Sequence, residues 1–100
     1  MGAFEFIVNN NQEFQDMVDN KDFKIAQAIV DSILNNLETK KKNIHIFSVT
    51  SLEEDSTFDI TLEKKHFIST LDENLKYFIQ KEMYEECAKI NEAIKLLKSK

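Results

Sequence analysis

Apolar positions along this 100-residue chain follow two rhythms, one of period two and one of three to four. Phe4, Phe6 and Val8 repeat every second residue, which predicts a short strand over about 3–8. Asn9, Asn10 and Asn11 interrupt it, because Asn tolerates turn conformations. Asn10 followed by Glu13 has the spacing of a helix cap, and a short helix over about 11–19 would place Phe14, Met17 and Val18 on one side. From Asp22 to Lys40, Ile25, Ala26, Ile29, Ile33, Leu34 and Leu37 recur at helical spacing. Asp22 suits its N-cap, and Lys40, Lys41 and Lys42 stand where a helix dipole favours cations.

The period then returns to two. Residues 43–51 are rich in β-branched and aromatic side chains. Simple alternation puts Ile44 and Ile46 on one face and Phe47 and Val49 on the other, an apolar load on both sides. That predicts cover on both faces, by a helix or by a second copy of the chain, and makes a homodimer an expectation. Glu53, Glu54, Asp55 and Ser56 read as an acidic turn without glycine, longer than two residues. Phe58, Ile60 and Leu62 alternate with polar residues in a half-buried strand over 57–62, antiparallel to 43–51.

Helix dominates from residue 64 to 98. Leu71, Leu75, Phe78 and Ile79 form one stripe; Cys87, Ile90, Ala93, Ile94 and Leu97 form another. Two readings stay open, one long helix or a hairpin of two. Thr70 and Glu73 have capping-box spacing and suggest a boundary near 70, while Ile79, Met83 and Cys87 permit continuity. The predicted fold is a single α+β domain over 1–100. A small antiparallel sheet (about 3–8, 43–51 and 57–62) is packed by helix 22–40 and by the C-terminal helix or hairpin.

Composition narrows function by exclusion. Gly2 is the only glycine, and there is no Pro and no Arg. Phosphate-cradling loops need glycines for close backbone approach, so a P-loop, a Rossmann fingerprint and a kinase-type loop are excluded. The lysine-only basic set, rich in Ile and Asn company, suggests A/T-rich coding of the kind found in small phages and low-GC bacteria. A net charge of −5 disfavours generic binding to nucleic acid or anionic membrane. Cys87 is alone, which suits a reducing compartment. No apolar run approaches the roughly 20 residues of a membrane span. The first ten residues carry Glu5 and no basic stretch, so a signal peptide is not expected and the cytoplasm is.

The segment Leu71 to Leu97 resembles the UVR motif, a short helical hairpin of the bacterial excision-repair proteins UvrB and UvrC and of some Clp-associated regulators. The matching residues are Leu75, Ile79, Glu82, Tyr84, Glu85, Cys87, Ala88, Ile90, Ala93, Ile94 and Leu97. The resemblance covers about the last quarter of the chain. It departs from the family where a Leu-Arg-Asp segment is usual, since Lys89, Ile90, Asn91 and Glu92 stand there. It implies a hairpin between about 71–80 and 84–98, with Ala88 and Ala93 allowing close helix approach, and docking on another protein. It implies no nuclease or helicase activity.

Candidate chemistry is thin. Cys87 sits mid-stripe with Ile90 and Ile94, where a thiol packs as a small hydrophobe. His45 and His66 have no metal-ligand spacing. Asp59 and Glu63 have the types of an acid/base couple, with cross-strand pairing to lysine as the default. Glu53, Glu54 and Asp55 lack the glycine and ligand series of a calcium loop. No cofactor or metal is expected, and no catalysis. Tyr77, Tyr84 and Glu85 fall near the hairpin corner and are the candidate partner contacts, with Phe14 and Met17 adding apolar surface at the other end. The expected function is a non-catalytic interaction or adaptor module with a protein partner. The alternative is a nucleic-acid-associated regulator using Lys40, Lys41 and Lys42, with Lys64 and Lys65 nearby.

Overall fold

The computed structural model describes residues 4–20 and 22–99. In chain order the elements are β1 (Phe4–Val8), α1 (Asn11–Asp19), α2 (Phe23–Leu34), β2 (Asn43–Ser51), β3 (Ser56–Glu63), a single 3-10 turn (Lys64–His66), α3 (Phe67–Gln80) and α4 (Tyr84–Lys98). The α+β class and a C-terminal helix pair are both present. Ala3, the first residue expected in the opening strand, lies outside the described residues.

The strands form one sheet in the order β1–β2–β3. β2 and β3 pair antiparallel across the loop 52–55, but β1 runs parallel to β2. The sheet is therefore mixed, which corrects the all-antiparallel expectation. The cause is the connection: α1 and α2 form a crossover between β1 and β2, and a crossover returns the chain to start the next strand in the same direction.

β2 also departs from simple alternation. His45 lies opposite Thr61, and Phe47 lies opposite Ile60, so Ile46 is an extra residue in the ladder. This bulge shifts the phase by one. Ile44, Ile46, Phe47, Val49 and Ser51 are all buried, while His45, Ser48 and Thr50 face outward with Thr57, Asp59 and Thr61 of β3. Both halves of the apolar pattern thus serve one face. The two-sided load that motivated a homodimer is absent, and with it that reason for a second copy. Buried Ser32 of α2 donates its hydroxyl to the Ile46 carbonyl at 3.2 Å, tying the bulge to the covering helix.

Helices cover the inward face. Phe14 of α1 meets Phe47 and Phe58 edge-on, with centroids 6.1 and 5.9 Å apart, and Phe6 meets Phe47 at 5.0 Å. α1 starts where expected. Asn10 Oδ1 accepts from the Glu13 N–H at 2.9 Å, and Glu13 Oε1 accepts from the Asn9 N–H at 2.7 Å. The acidic loop completes this helix end: Glu54 Oε1 accepts from the Asn11 N–H at 3.2 Å and from the Ser51 hydroxyl. Glu54 is thus a helix-capping group, Glu53 Oε2 accepts from the Asn10 side-chain amide at 3.3 Å, and negative charge suits a helix N-terminus.

α2 stops at Leu34 and does not reach Lys40. Asn35 and Asn36 are weak helix formers, and the Asn36 side chain donates to the Ser32 carbonyl at 2.7 Å, closing the end. Lys40, Lys41 and Lys42 therefore lie in the loop before β2 and not at a helix terminus.

Residues 64–98 are not one helix. Thr70 lies inside α3, and the boundary nearest it is at Phe67, where the 3-10 turn gives way to α3. The break is at 81–83, where Glu82 takes the left-handed conformation (φ 57°) and the Met83 N–H reaches the Phe78 carbonyl at 3.0 Å. This is the Schellman pattern, with Glu where glycine is usual, at a cost of about 1–2 kcal/mol. Cys87, Ile90 and Ala93 of α4 are buried with Phe67, Leu71 and Phe78 of α3. Ala88 and Ile79 are exposed, so neither joins the seam read from the sequence. The pair packs on α2, and Gln27 Nε2 of α2 reaches Glu86 of α4 at 3.3 Å.

Candidate functional site

A concavity lies where α1, α2 and α3 meet, a groove of about 480 Å³. Its apolar lining is Met17 and Val18 from α1, Ile25, Ala26 and Ile29 from α2, and Tyr77 from α3. α1 and α2 are joined by only three residues, 20–22. The α1 end is lightly packed: Met17 is half-buried and Val18 is 43% exposed. Asp22, Glu73, Asn74, Lys76 and Gln80 supply the polar part.

Tyr77 is the one candidate contact that lines this groove. Its ring stacks on Phe23 at 6.5 Å, meets Phe78 edge-on at 5.6 Å, and carries the Lys81 ammonium 5.6 Å from its centroid. Such packing holds the ring in place. Tyr84 and Glu85 sit apart, exposed on the first turn of α4, with Tyr84 65% accessible. The three residues thus form two patches rather than one. Met17, expected at the far end of the molecule, is brought into the same groove as Tyr77, whereas Phe14 is committed to the core. Val18, Ala26 and Ile29 were legible only as helix-stripe positions; their apolar spacing was the signal, and the placement of α3 against them was not.

The open sheet face holds a second cluster. Ser48 donates to Asp59 Oδ1 at 2.7 Å and lies 3.0 Å from His45 Nε2, which is 3.4 Å from the same Asp59 oxygen. The residue types are those of a hydrolase triad, but one ring nitrogen faces both partners. Nucleophile activation needs the imidazole to bridge, with one nitrogen on the acid and the other on the hydroxyl. Here the hydroxyl donates directly to the carboxylate, and the imidazole does not stand between them. Asp59 is thus paired with Ser48 and His45 rather than with a lysine. Glu63 is 3.8 Å from Lys65 and 3.6 Å from His66, so Asp59 and Glu63 do not form a couple.

At the opposite end from the acidic loop, strand pairing gathers the basic residues. The Lys64 N–H donates to the Lys42 carbonyl at 2.6 Å, setting Lys64 and Lys65 beside Lys40–Lys42. The Lys64 ammonium is spent on the Thr39 carbonyl. Cys87 is buried in the α3–α4 seam, a packing position. Among the described residues no group of three or more His, Cys, Asp or Glu is placed to hold a metal ion. No described helix is long and apolar enough to cross a membrane.

Comparison with family models, with curated proteins and with solved structures gave no match to this chain.

Proposed function

We propose that this chain is a non-catalytic protein-interaction module that docks a partner through its helical side. The observation that carries this reading is the groove of α1, α2 and α3, where a fixed aromatic, Tyr77, stands beside under-packed Met17 and Val18. Interface centres favour aromatic and methionine side chains in this combination. Tyr84 and Glu85, exposed on the first turn of α4, extend the contact at the hairpin corner, the part of the chain that resembles the UVR motif. An adaptor working in the cytoplasm agrees with a free buried Cys87. The test is quantitative capture from the source cell. Tyr77→Ala, and Tyr84→Ala combined with Glu85→Lys, should each lower recovery of the same partner about tenfold or more, as loss of an interface anchor does. Circular dichroism should stay unchanged for the Tyr84/Glu85 variant. Equal recovery with all variants would refute docking through this side.

A second reading has one observation in its favour, the gathering of Lys40, Lys41, Lys42 and Lys65 at one end of the sheet. It is a nucleic-acid-associated regulator using those lysines on phosphates. Binding to a mixed-sequence oligonucleotide would then fall steeply with salt, with a log–log slope of about −0.7 to −0.9 per contact. Absence of binding at 50 mM salt removes this reading.

A further inference from the structure

We propose that the free edge of β3 pairs antiparallel with β3 of a second copy, making one continuous sheet across a two-fold axis at Ile60. This goes beyond groove docking and does not depend on it. Among the described residues only β2 pairs with β3, so the far side of β3 is an edge. An edge strand leaves backbone N–H and C=O groups without ladder partners. Their phase follows from the Lys64 N–H, which donates to the Lys42 carbonyl. Such bonds recur at every second residue, so the backbone groups of Leu62, Ile60 and Phe58 also turn toward β2. Those of Thr57, Asp59, Thr61 and Glu63 turn to the open edge. The usual guards of a free edge are missing: β3 runs for 8 residues with no Pro and no Lys, and the bulge lies in β2. Its two acids are answered within their own chain, Asp59 by Ser48 and His45, and Glu63 by Lys65 and His66.

The sequence of β3 selects a copy of itself, and one register. Paired strands must keep Phe58, Ile60 and Leu62 on one face and Thr57, Asp59, Thr61 and Glu63 on the other. Pairing about Asp59 sets that acid directly against its own copy, and pairing about Thr61 sets Asp59 against Glu63; both are unfavourable. Pairing about Ile60 avoids both. It places Ile60 on Ile60, Phe58 opposite Leu62, Asp59 opposite Thr61 and Thr57 opposite Glu63. Just beyond the strand it brings Asp55 of one copy to the Lys65 end of the other, so unlike charges meet at both ends of the pairing. The inward row Phe58, Ile60 and Leu62, half-buried in one copy, then continues into the same row of the second.

The test is sedimentation of the full chain up to millimolar concentration, together with oxidation of introduced cysteines. The mean mass should rise with concentration from 11.7 kDa towards twice that value. Thr61→Pro removes an N–H that faces the open edge and none that faces β2, a place where proline is tolerated. It should hold the chain at 11.7 kDa with an unchanged circular dichroism spectrum. Ile60→Cys sets two thiols opposite each other at a pair without its own interchain hydrogen bonds, where side chains approach most closely. Mild oxidation should link most of this variant into dimer. Asp59→Cys, Thr61→Cys and the native chain with its buried Cys87 should stay largely unlinked. A strict monomer that Ile60→Cys does not link overturns the proposal. Linking through Asp59→Cys in place of Ile60→Cys means another register and overturns it too, as does a dimer that a folded Thr61→Pro variant leaves intact. If Thr61→Pro does not fold, the pattern of cysteine linking decides alone.

Discussion

The two faces of the sheet are built from the same three strands and differ in almost everything else. The inward face presents Phe6, Val8, Phe47, Val49, Phe58, Ile60 and Leu62 to the helices. The outward face presents His45, Ser48, Thr50, Thr57 and Asp59, joined by short side-chain hydrogen bonds such as Thr50 to Thr57 at 3.0 Å. Ile7, 67% exposed on β1, is the large apolar exception. What separates the faces is a single residue, the bulge at Ile46. If β2 kept Ile46 but paired without a bulge, half of its apolar side chains would face solvent, because strand side chains alternate strictly. The difference teaches that the inward face carries stability, while the outward face carries polar pairs worth little each.

The largest expected effect comes from emptying the inward face. Phe47 is 2% exposed and touches the rings of Phe6 and Phe14. Phe47→Ala should cost about 3–5 kcal/mol, the loss typical of a truncated core aromatic. Against a total stability of roughly 5–15 kcal/mol that is a large share, and the urea midpoint should fall accordingly. A shift below about 1 kcal/mol would mean that the covered face is not the core.

Much of this division was legible in the sequence, and the rest was not for reasons that can be named. Asn10 and Glu13 announce α1, and the alternation of Phe58, Ile60 and Leu62 announces β3, because both are local signals. The bulge has no such mark. It lacks a glycine, and an apolar pair such as Ile46-Phe47 reads equally as a two-faced strand. The parallel placement of β1 depends on how α1 and α2 cross between strands, which no window along the chain contains. The end of α2 was overestimated because Leu37 continues the stripe, whereas Asn35 and Asn36 close the helix. The groove was half legible. Tyr77 and Met17 stood out by type, but their meeting is a product of long-range packing.

A smaller effect tests the bulge itself. Deleting Ile46 leaves Ile44, Phe47, Val49 and Ser51 in strict alternation and keeps Phe47 opposite Ile60. The variant should fold in the same register. It loses one buried isoleucine and the partner of the Ser32 hydroxyl, together about 2–4 kcal/mol. Cross-strand nuclear Overhauser contacts between Phe47 and Ile60 check the register, and denaturant titration checks the loss. An unfolded variant would show that Ile46 shapes the sheet rather than only correcting its phase.

The smallest effect is expected on the outward face. Asp59 is 65% exposed and His45 36%, so their attraction is screened by water, and the Ser48 hydroxyl can turn to solvent when the carboxylate is gone. Asp59→Ala should therefore change stability by less than about 1 kcal/mol. Melting at two protein concentrations a hundredfold apart makes the measurement more informative. A small loss independent of concentration is what a solvated face predicts. A loss several times larger that grows on dilution would mean that the face is covered by another copy of the chain, because association links melting to concentration. That result would restore a face-to-face homodimer, with His45, Ser48 and Asp59 inside the interface and the apolar side of β2 playing no part in it.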